Sequence, residues 1–404
     1  MIRLLTGSAL DVLRGLPSES VHCAVTSPPY YRHRSYLPKH HPLKHLELGQ
    51  EPTPDLFVGH LVEVFRELRR VLRSDGLFWL VIGDSRSNGP RRSESAGGTG
   101  DGWGTQHRDR LIADGQVHDH HSIPGFRRKE LIGIPWMLAF ALRSDGWYLR
   151  AENIWHKPAP MPESVQDRTT YAHEQIFMFS KRAHYYYDAT AIREPYSDPR
   201  ENKAGAAGGK TAMRGQAALR PRGNMDQSGT NIERYYGAGG RNKRTVWTVQ
   251  PSPYKGKHCA TFPAALIRPC IAAGTSERGC CPTCGAPWRR ETSKKSRRGT
   301  DRKEGSRALV AFPGPPHRGL KNHETAVEVA TIGWSPTCKC TPHEPVPCTV
   351  IDPFGGAGTT AIEAGRQLRD AILIDLDEAS IEEARGRLVR ELGLLAMFGE
   401  AAVA

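Results

Sequence analysis

Thr26-Ser27-Pro28-Pro29-Tyr30 packs a small hydroxyl, two rigid rings and a tyrosine into five residues, directly after the apolar run Val21–Val25. Prolines fix φ and cannot donate to a sheet ladder, so the run must leave its sheet through a stiff turn. Polar groups held in such a turn are in place before a substrate arrives, where preorganisation is most effective. A second abrupt break lies more than three hundred residues downstream, where Thr349-Val350-Ile351-Asp352 runs into Pro353-Phe354-Gly355-Gly356-Ala357-Gly358-Thr359-Thr360. Glycines there let a ligand approach the backbone, and a helix starting near Thr360 offers free N–H groups. Asp375 closes the next apolar run, 23 positions after Asp352, a spacing at which a carboxylate can reach a ribose diol.

A third constellation is built from sulfur. Cys281-Pro282-Thr283-Cys284 and Cys338-Lys339-Cys340 are two close pairs, and two such pairs can close a tetrahedral thiolate zinc site. Cys280 is spare, and His343 and Cys348 are alternates. Gly285-Ala286-Pro287-Trp288 and Ile332-Gly333-Trp334 read as the walls of a small zinc ribbon, structural or DNA-contacting and not catalytic.

Gly356, Gly358 and Ala361 also fit the loose dinucleotide fingerprint, so a nicotinamide or flavin enzyme is the first alternative. That match is weak on its own. Asp352 ends the strand where a pyrophosphate would lie and would repel it, whereas a carboxylate suits the amine or sulfonium of S-adenosylmethionine.

The elements that must hold these groups alternate between strand and helix. Ile2–Thr6 reads as a strand, Ala9–Leu16 as a short helix, and Val21–Val25 as a strand. Apolar residues at helical spacing run from Leu61 to Leu72 until Ser74-Asp75-Gly76 breaks the pattern, and Leu77–Ile82 suits a strand buried on both faces. A helix is expected from about Lys129 to Arg143, extended segments over Trp147–His156 and Gln175–Ser180, a helix from Thr360 to Leu368, and a strand from Ala371 to Ile374. Such alternation argues for a parallel sheet covered by helices. Asp84–Ser122, Ser197–Arg244 and Arg289–Lys321 lack periodicity and read as loops or linkers.

The chain has 404 residues and a formal net charge of +13. That balance points to a polyanionic partner, most simply nucleic acid. No apolar run approaches the roughly 20 residues of a membrane span, and the N-terminus leads directly into a strand. Nine cysteines without an export signal read as metal ligands and buried thiols in a reducing compartment, so a cytoplasmic protein is expected.

Taken together, the two turns resemble the motifs of amino-group DNA methyltransferases: Asp352–Thr360 their cofactor-binding motif, Thr26–Tyr30 their catalytic one. Arg244-Thr245-Val246-Trp247, Ala260-Thr261-Phe262-Pro263 and the Asp375 strand also look like family segments in family order. Catalytic motif first and cofactor motif last is the permuted order of the beta class. The resemblance implies a class I S-adenosylmethionine-dependent methyltransferase fold: α/β, doubly wound, mostly parallel, with irregular insertions. It implies cofactor binding by Asp352, Phe354, Gly355, Gly356, Gly358, Thr359, Thr360 and Asp375, with Thr261 and Phe262 lining the methionine side. It implies catalysis by Ser27, Pro28, Pro29 and Tyr30, and Tyr31 is a lesser candidate. Trp155-His156-Lys157-Pro158, Arg168 and Glu174 resemble positions near the DNA face. In one respect the chain departs: relatives carry an acid after the first strand where this chain has Gly7-Ser8, and Asp11 nearby does not inherit the role.

The resemblance carries a chemistry with it. An exocyclic base amine is a poor nucleophile, and acceptors on its hydrogens draw it toward tetrahedral geometry; the Ser27 hydroxyl and the Pro28 carbonyl are the two acceptors. The base must be flipped out of double-stranded DNA and stacked on an aromatic ring, here Tyr30. Ser at the head of the motif leans toward cytosine N4, with adenine N6 as runner-up. Carbon-5 methylation would need a cysteine, but Cys270 falls in a helix and Cys348 precedes a strand, so both read as structural thiols. A rival of another class is a catalytically inactive zinc-ribbon DNA-binding protein. The expected division is residues 1–195 and 246–275 for the catalytic core, 196–245 for target recognition, 276–347 for the zinc ribbon and 348–404 for the cofactor-binding part. A cognate restriction endonuclease is the further partner expected.

Overall fold

The computed structural model describes residues 1–87, 123–127, 129–194, 241–251, 261–298, 325–341 and 344–393. Most of the loop expected over Asp84–Ser122, the recognition insertion from 196 to 240, Ala260 and His343 therefore lie outside the described residues.

Eight strands form one sheet in the order β1-β10-β9-β2-β3-β5-β4-β6. They are β1 Ile2–Thr6, β2 Val21–Thr26, β3 Leu72–Ile82, β4 Tyr148–His156, β5 His173–Ser180, β6 Val246–Thr248, β9 Thr349–Asp352 and β10 Asp370–Asp375. The sheet is parallel from β1 through β3; β5 runs antiparallel to both of its neighbours, and β4 pairs in parallel with β6. This is a doubly wound, mostly parallel sheet of the kind the resemblance implied, and strands from distant parts of the chain meet in it: Ile2–Thr6 pairs residue by residue with Ala371–Asp375.

β9 and β2 are neighbours at the middle of the sheet, with Cys23 opposite Val350 and Ala24 opposite Ile351. From β2 the chain crosses to β3 on one side, and from β9 to β10 on the other. That reversal creates a crevice outside their carboxyl ends, the place where open α/β sheets bind ligands. Both Pro-rich turns emerge there.

Among the described residues, six α-helices accompany the sheet: α1 Ala9–Gly15, α2 Pro54–Val71, α3 Ile134–Ser144, α4 Ala264–Gly274, α5 Thr359–Arg366 and α6 Glu378–Leu392. Helix α2 begins well before the expected Leu61. Thr53 caps it by accepting from the Leu56 N–H, and Pro54 occupies its first turn. Its buried stripe of Phe57, Leu61, Val64, Phe65 and Leu68 lies on the sheet, with the Phe65 and Phe78 rings 4.9 Å apart. Ser74-Asp75-Gly76 does not form a loop after this helix; it lies inside β3. Gly76 is needed there because a Cβ would stand 2.7 Å from Leu72 Cγ and 2.9 Å from the His22 carbonyl.

Helix α3 starts at Ile134, later than the expected Lys129, which has a left-handed φ of 73°. The start is set from a distance. The Asp84 carboxylate, just beyond β3, accepts from the N–H groups of Gly133 and Ile134, each at 3.0 Å, and so caps the helix with an anion.

Contacts divide the chain into two units. The larger comprises residues 1–191, 244–289 and 336–404, and the smaller 192–243 and 290–335. In the smaller, β7 Arg289–Arg298 and β8 Thr325–Ser335 form a two-stranded ribbon. Part of the expected linker is thus a strand. Its sequence, RRETSKKSRR, is wholly polar and carries no hydrophobic period. Arg290 stacks over the Trp334 ring at 4.3 Å and donates to Thr331 Oγ1. No helix among the described residues is long and apolar enough to cross a membrane.

Candidate functional site

A cavity of about 530 Å³ opens at the crevice beyond β2 and β9. Ser27 and Pro29 line it from the first turn, and Asp352, Pro353, Phe354, Gly355, Gly356, Ala357 and Thr359 from the second. Asp375, Thr261, Phe262 and Ser8 also face it. Two stretches more than three hundred residues apart therefore meet at one site.

The glycine turn has its composition for structural reasons. Gly356 and Gly358 sit at φ of 45° and 79°, in the left-handed region that side chains avoid. Gly355 is excluded from replacement by packing: a Cβ there would lie 2.1 Å from Leu373 Cγ. The Gly356 N–H donates to Asp375 Oδ2 at 2.8 Å, and Asp375 Oδ1 accepts from the Asp377 N–H at 3.0 Å. Asp375 thus fixes the turn while facing the cavity.

Asp352 is almost wholly buried. Its Oδ1 accepts from the Thr26 hydroxyl and from the Phe354 N–H, and its Oδ2 accepts from the Thr360 hydroxyl at 2.6 Å. Burial pushes its carboxyl up to about 6, the Thr26 and Thr360 hydroxyls and the Phe354 N–H pull it back, and Asp375 adds repulsion. Asp352 also lines the cavity. Both of its oxygens are engaged by the protein, so the residue ties the two turns together.

Glu47, Glu51, Glu63 and Asp377 join Asp352 and Asp375 around the cavity, against Lys44 as the lining's fixed cation. Glu51 accepts from the Gly49 N–H and from His60 Nδ1, and Glu47 is held by Lys44, Ser35 and backbone N–H groups of Tyr36 and Leu37. In a chain of net charge +13, an acidic pocket is a site for a cation. Its size is ordinary for a small-molecule site, and Leu10, Phe262, Phe354 and Leu376 supply apolar walls. The residues fit S-adenosylmethionine, whose sulfonium and amine are cationic. Sequence reasoning missed Glu47 and Glu51; the signal was their place on the loop leaving the catalytic turn at the sheet's ligand end. Ser8 lines the cavity, whereas Asp11 is exposed and pairs with Arg14 at 3.4 Å. Phe354 packs edge-on against Phe65.

On the other side of Ser27 runs a polarised chain of hydrogen bonds. Lys157 pairs with Glu174, the Tyr30 hydroxyl donates to Glu174 Oε2 at 2.7 Å, and the Ser27 hydroxyl donates to the Tyr30 oxygen at a long 3.4 Å. The direction is forced: a carboxylate only accepts, so Tyr30 must donate to it, and its oxygen is then left to accept from Ser27. Burial and the neighbouring Glu174 hold the Tyr30 phenol well above its usual range. Ser27 thereby keeps its own lone pairs directed elsewhere.

Tyr31 is not a second platform. It is fully buried and packs on Phe57 at 5.4 Å, because the chain after Tyr30 turns into the core. Trp155 is also core, donating to the Val249 carbonyl at 2.8 Å. Arg168 pairs with Glu163 at 2.7 Å, and His156 Nδ1 lies 3.1 Å from Thr248 Oγ1. Trp247 is buried on the edge strand β6, its ring 6.0 Å from that of Trp79. Cys270 and Cys348 are fully buried. The sulfur atoms of Cys281, Cys284, Cys338 and Cys340 lie within 4.8 Å of one another, and all four residues belong to the larger unit, not to the ribbon.

Residues 21–281 match the family model described as DNA methylase (N6_N4_Mtase). Type II methyltransferase M.SmaI of Serratia marcescens is 36% identical over 277 residues, which is 69% of this chain and 76% of the relative. Type II methyltransferase M.Cfr9I of Citrobacter freundii is 40% identical over 273 residues, 67% of this chain and 72% of the relative. Among solved structures, PvuII DNA methyltransferase (cytosine-N4-specific) aligns over 95% of this chain and 85% of its own, at 14% identity and a TM-score of 0.47. The chain belongs to the DNA methylase family, and its cofactor is S-adenosylmethionine.

Proposed function

We propose that this enzyme methylates the N4 amine of cytosine within a specific sequence of duplex DNA, with the target base flipped into the cavity beside Ser27. One observation carries the reading: Ser27 and the Asp352–Ala357 turn line a single cavity. When bound there, S-adenosylmethionine supplies an electrophilic methyl group; the protein's task is to present the amine. The Ser27 hydroxyl gives its hydrogen to Tyr30, so its oxygen accepts from the amine, and the Pro28 carbonyl accepts the second hydrogen. Each acceptor localises the nitrogen lone pair that the ring otherwise delocalises. Glu174, neutralised by Lys157, anchors the far end of the chain. Tyr30 supplies the aromatic ring against which the base rests.

Ser in place of Asp at the head of the motif supports cytosine over adenine. The type II relatives support site-specific modification, with a cognate restriction endonuclease as partner in the cytoplasm, and the charge of +13 supports a nucleic-acid substrate. The experiment is to incubate the enzyme and labelled cofactor with duplex DNA, then identify the modified nucleoside by mass spectrometry. N4-methylcytosine is expected. N6-methyladenine would overturn the choice of base, and no labelled nucleoside would overturn the activity.

A further inference from the structure

We propose that Cys281, Cys284, Cys338 and Cys340 bind one zinc ion as a tetrathiolate, forming a structural clamp at the end of β2 and β3 remote from the methyl-transfer site. Two segments far apart in sequence converge here: Cys338 lies 57 positions after Cys281. A tetrahedron with Zn–S bonds of about 2.3 Å places its sulfurs about 3.8 Å apart, which fits within the observed 4.8 Å. The group is not a cluster of buried apolar thiols, because only Cys281 is buried, while Cys284 is exposed and Cys338 and Cys340 are partly so. Hydrophobic packing therefore does not explain why four sulfurs gather at this surface, and soft thiolates select zinc.

The first pair already has the shape of a metal-binding turn. The Cys284 N–H points to Cys281 Sγ at 3.4 Å, the Gly285 N–H donates to the Cys281 carbonyl at 2.8 Å, and Gly285 takes a φ of 70°. An N–H directed at the sulfur stabilises a thiolate. The second pair is held to the first by Thr337, whose hydroxyl donates to the Pro287 carbonyl at 2.7 Å. The ion would thus tie together the points where the chain leaves the larger unit after Arg289 and rejoins it at Pro336.

The clamp is braced against the sheet. Arg73 on β3 donates to the Cys284 carbonyl at 2.6 Å, and His22 Nε2 on β2 donates to the Gly285 carbonyl at 2.9 Å. His22 Nδ1 accepts from the Thr349 N–H at 3.0 Å, which fixes the tautomer. Both ring nitrogens are therefore committed. The neighbouring trio of His22, Cys280 and Cys348 accordingly offers no second metal site, and the Cys280 thiol faces the carbonyls of Val346 and Pro347. His22 and Ser27 lie five residues apart along β2 and the turn that follows it, on the order of 17 Å of extended chain. The ion is too far away to act in methyl transfer.

The test is elemental analysis of the full-length protein purified with zinc present, followed by mercurial titration of its thiols with a chromogenic chelator to record zinc release. About one zinc per chain is expected, released as those thiols are blocked. C284S and C340S should each lose the ion, whereas C280S should keep it. Stripping zinc should lower the melting temperature by several degrees while S-adenosylmethionine still produces a thermal shift. Wild-type protein without stoichiometric metal, metal retained by C284S and C340S, or metal lost from C280S would each overturn the proposal.

Discussion

Thr26, the last residue of β2, donates its buried hydroxyl to Oδ1 of Asp352, the last residue of β9. One hydrogen bond thus joins the strand that delivers Ser27 to the strand that delivers the glycine turn. The two motifs are held in register by a contact between the residues immediately before them, and this contact adds a third donor, beside the Phe354 N–H and the Thr360 hydroxyl, to a buried carboxylate.

Thr26→Val removes that donor and nearly preserves the volume. A hydrogen bond to a buried charged group is worth roughly 1.5–3 kcal/mol, so urea unfolding should show a loss of about 2 kcal/mol. Cofactor affinity should fall with it, because the Asp352 carboxyl becomes still harder to ionise. A variant as stable as wild type, with unchanged affinity, would mean the contact does not couple the two turns.

Asp352 also sets a pH dependence whose two consequences have opposite signs. Its carboxyl is raised from 3.8 to about 6 in the fold, so between those values the native state holds a proton that the unfolded chain has lost. Its contribution to stability therefore declines as pH rises from about 4 to about 6, by at most about 3 kcal/mol for two pK units. Cofactor binding responds the other way: a cation is attracted only by the ionised form, so affinity should rise through pH 6 and then level off. Calorimetric titrations from pH 5 to pH 8 should show this rise in wild type and not in Asp352→Asn. An affinity independent of pH in both proteins would remove Asp352 from the electrostatics of the site.

The fold and the two turns were legible because their signals are local and strong. Val21–Val25 and Thr349–Ile351 are apolar runs broken by prolines and glycines, and a strand–helix–strand alternation surrounds each. Other features depended on partners far away in sequence. Helix α3 begins at Ile134 because Asp84, fifty residues earlier, caps it. Tyr31 is buried while Tyr30 is not fully so, because Phe57 packs on one ring and Glu174 holds the other. Glu51 faces the cavity because the loop carrying it folds back on the catalytic turn, where the Arg32 N–H donates to the Gly49 carbonyl at 2.7 Å. The strand at Arg289–Arg298 has no hydrophobic period to betray it, since all ten of its residues are polar.

The Ser27–Tyr30–Glu174–Lys157 chain predicts that Glu174 acts at a distance. Glu174→Gln keeps the size but can offer its amide hydrogens to Tyr30, which would turn the phenol and Ser27 around and make Ser27 a donor toward the base. The turnover number should fall by about tenfold to a hundredfold, with cofactor affinity unchanged. Ser27→Ala should lose at least as much. If both variants weaken cofactor binding and spare turnover, the division of roles is reversed.

Gly83 offers the most local test of Tyr30. It follows β3 directly, and a Cβ built there would stand 2.6 Å from Tyr30 Cε2 and 3.1 Å from Cδ2. Those distances are far inside contact, and the neighbour is a rigid ring whose hydroxyl is pinned to Glu174. Gly83→Ala must therefore push the ring off its seat or break the bond to Glu174, a displacement of the order of 1 Å, enough to cost about a hundredfold in a positioned reaction. The strand itself should survive, because Gly83 lies beyond its last paired residue, Ile82. The expected result is a folded, cofactor-binding protein with sharply reduced turnover and a raised KM for DNA. Normal kinetics in Gly83→Ala would show that the position of the Tyr30 ring is immaterial to the reaction.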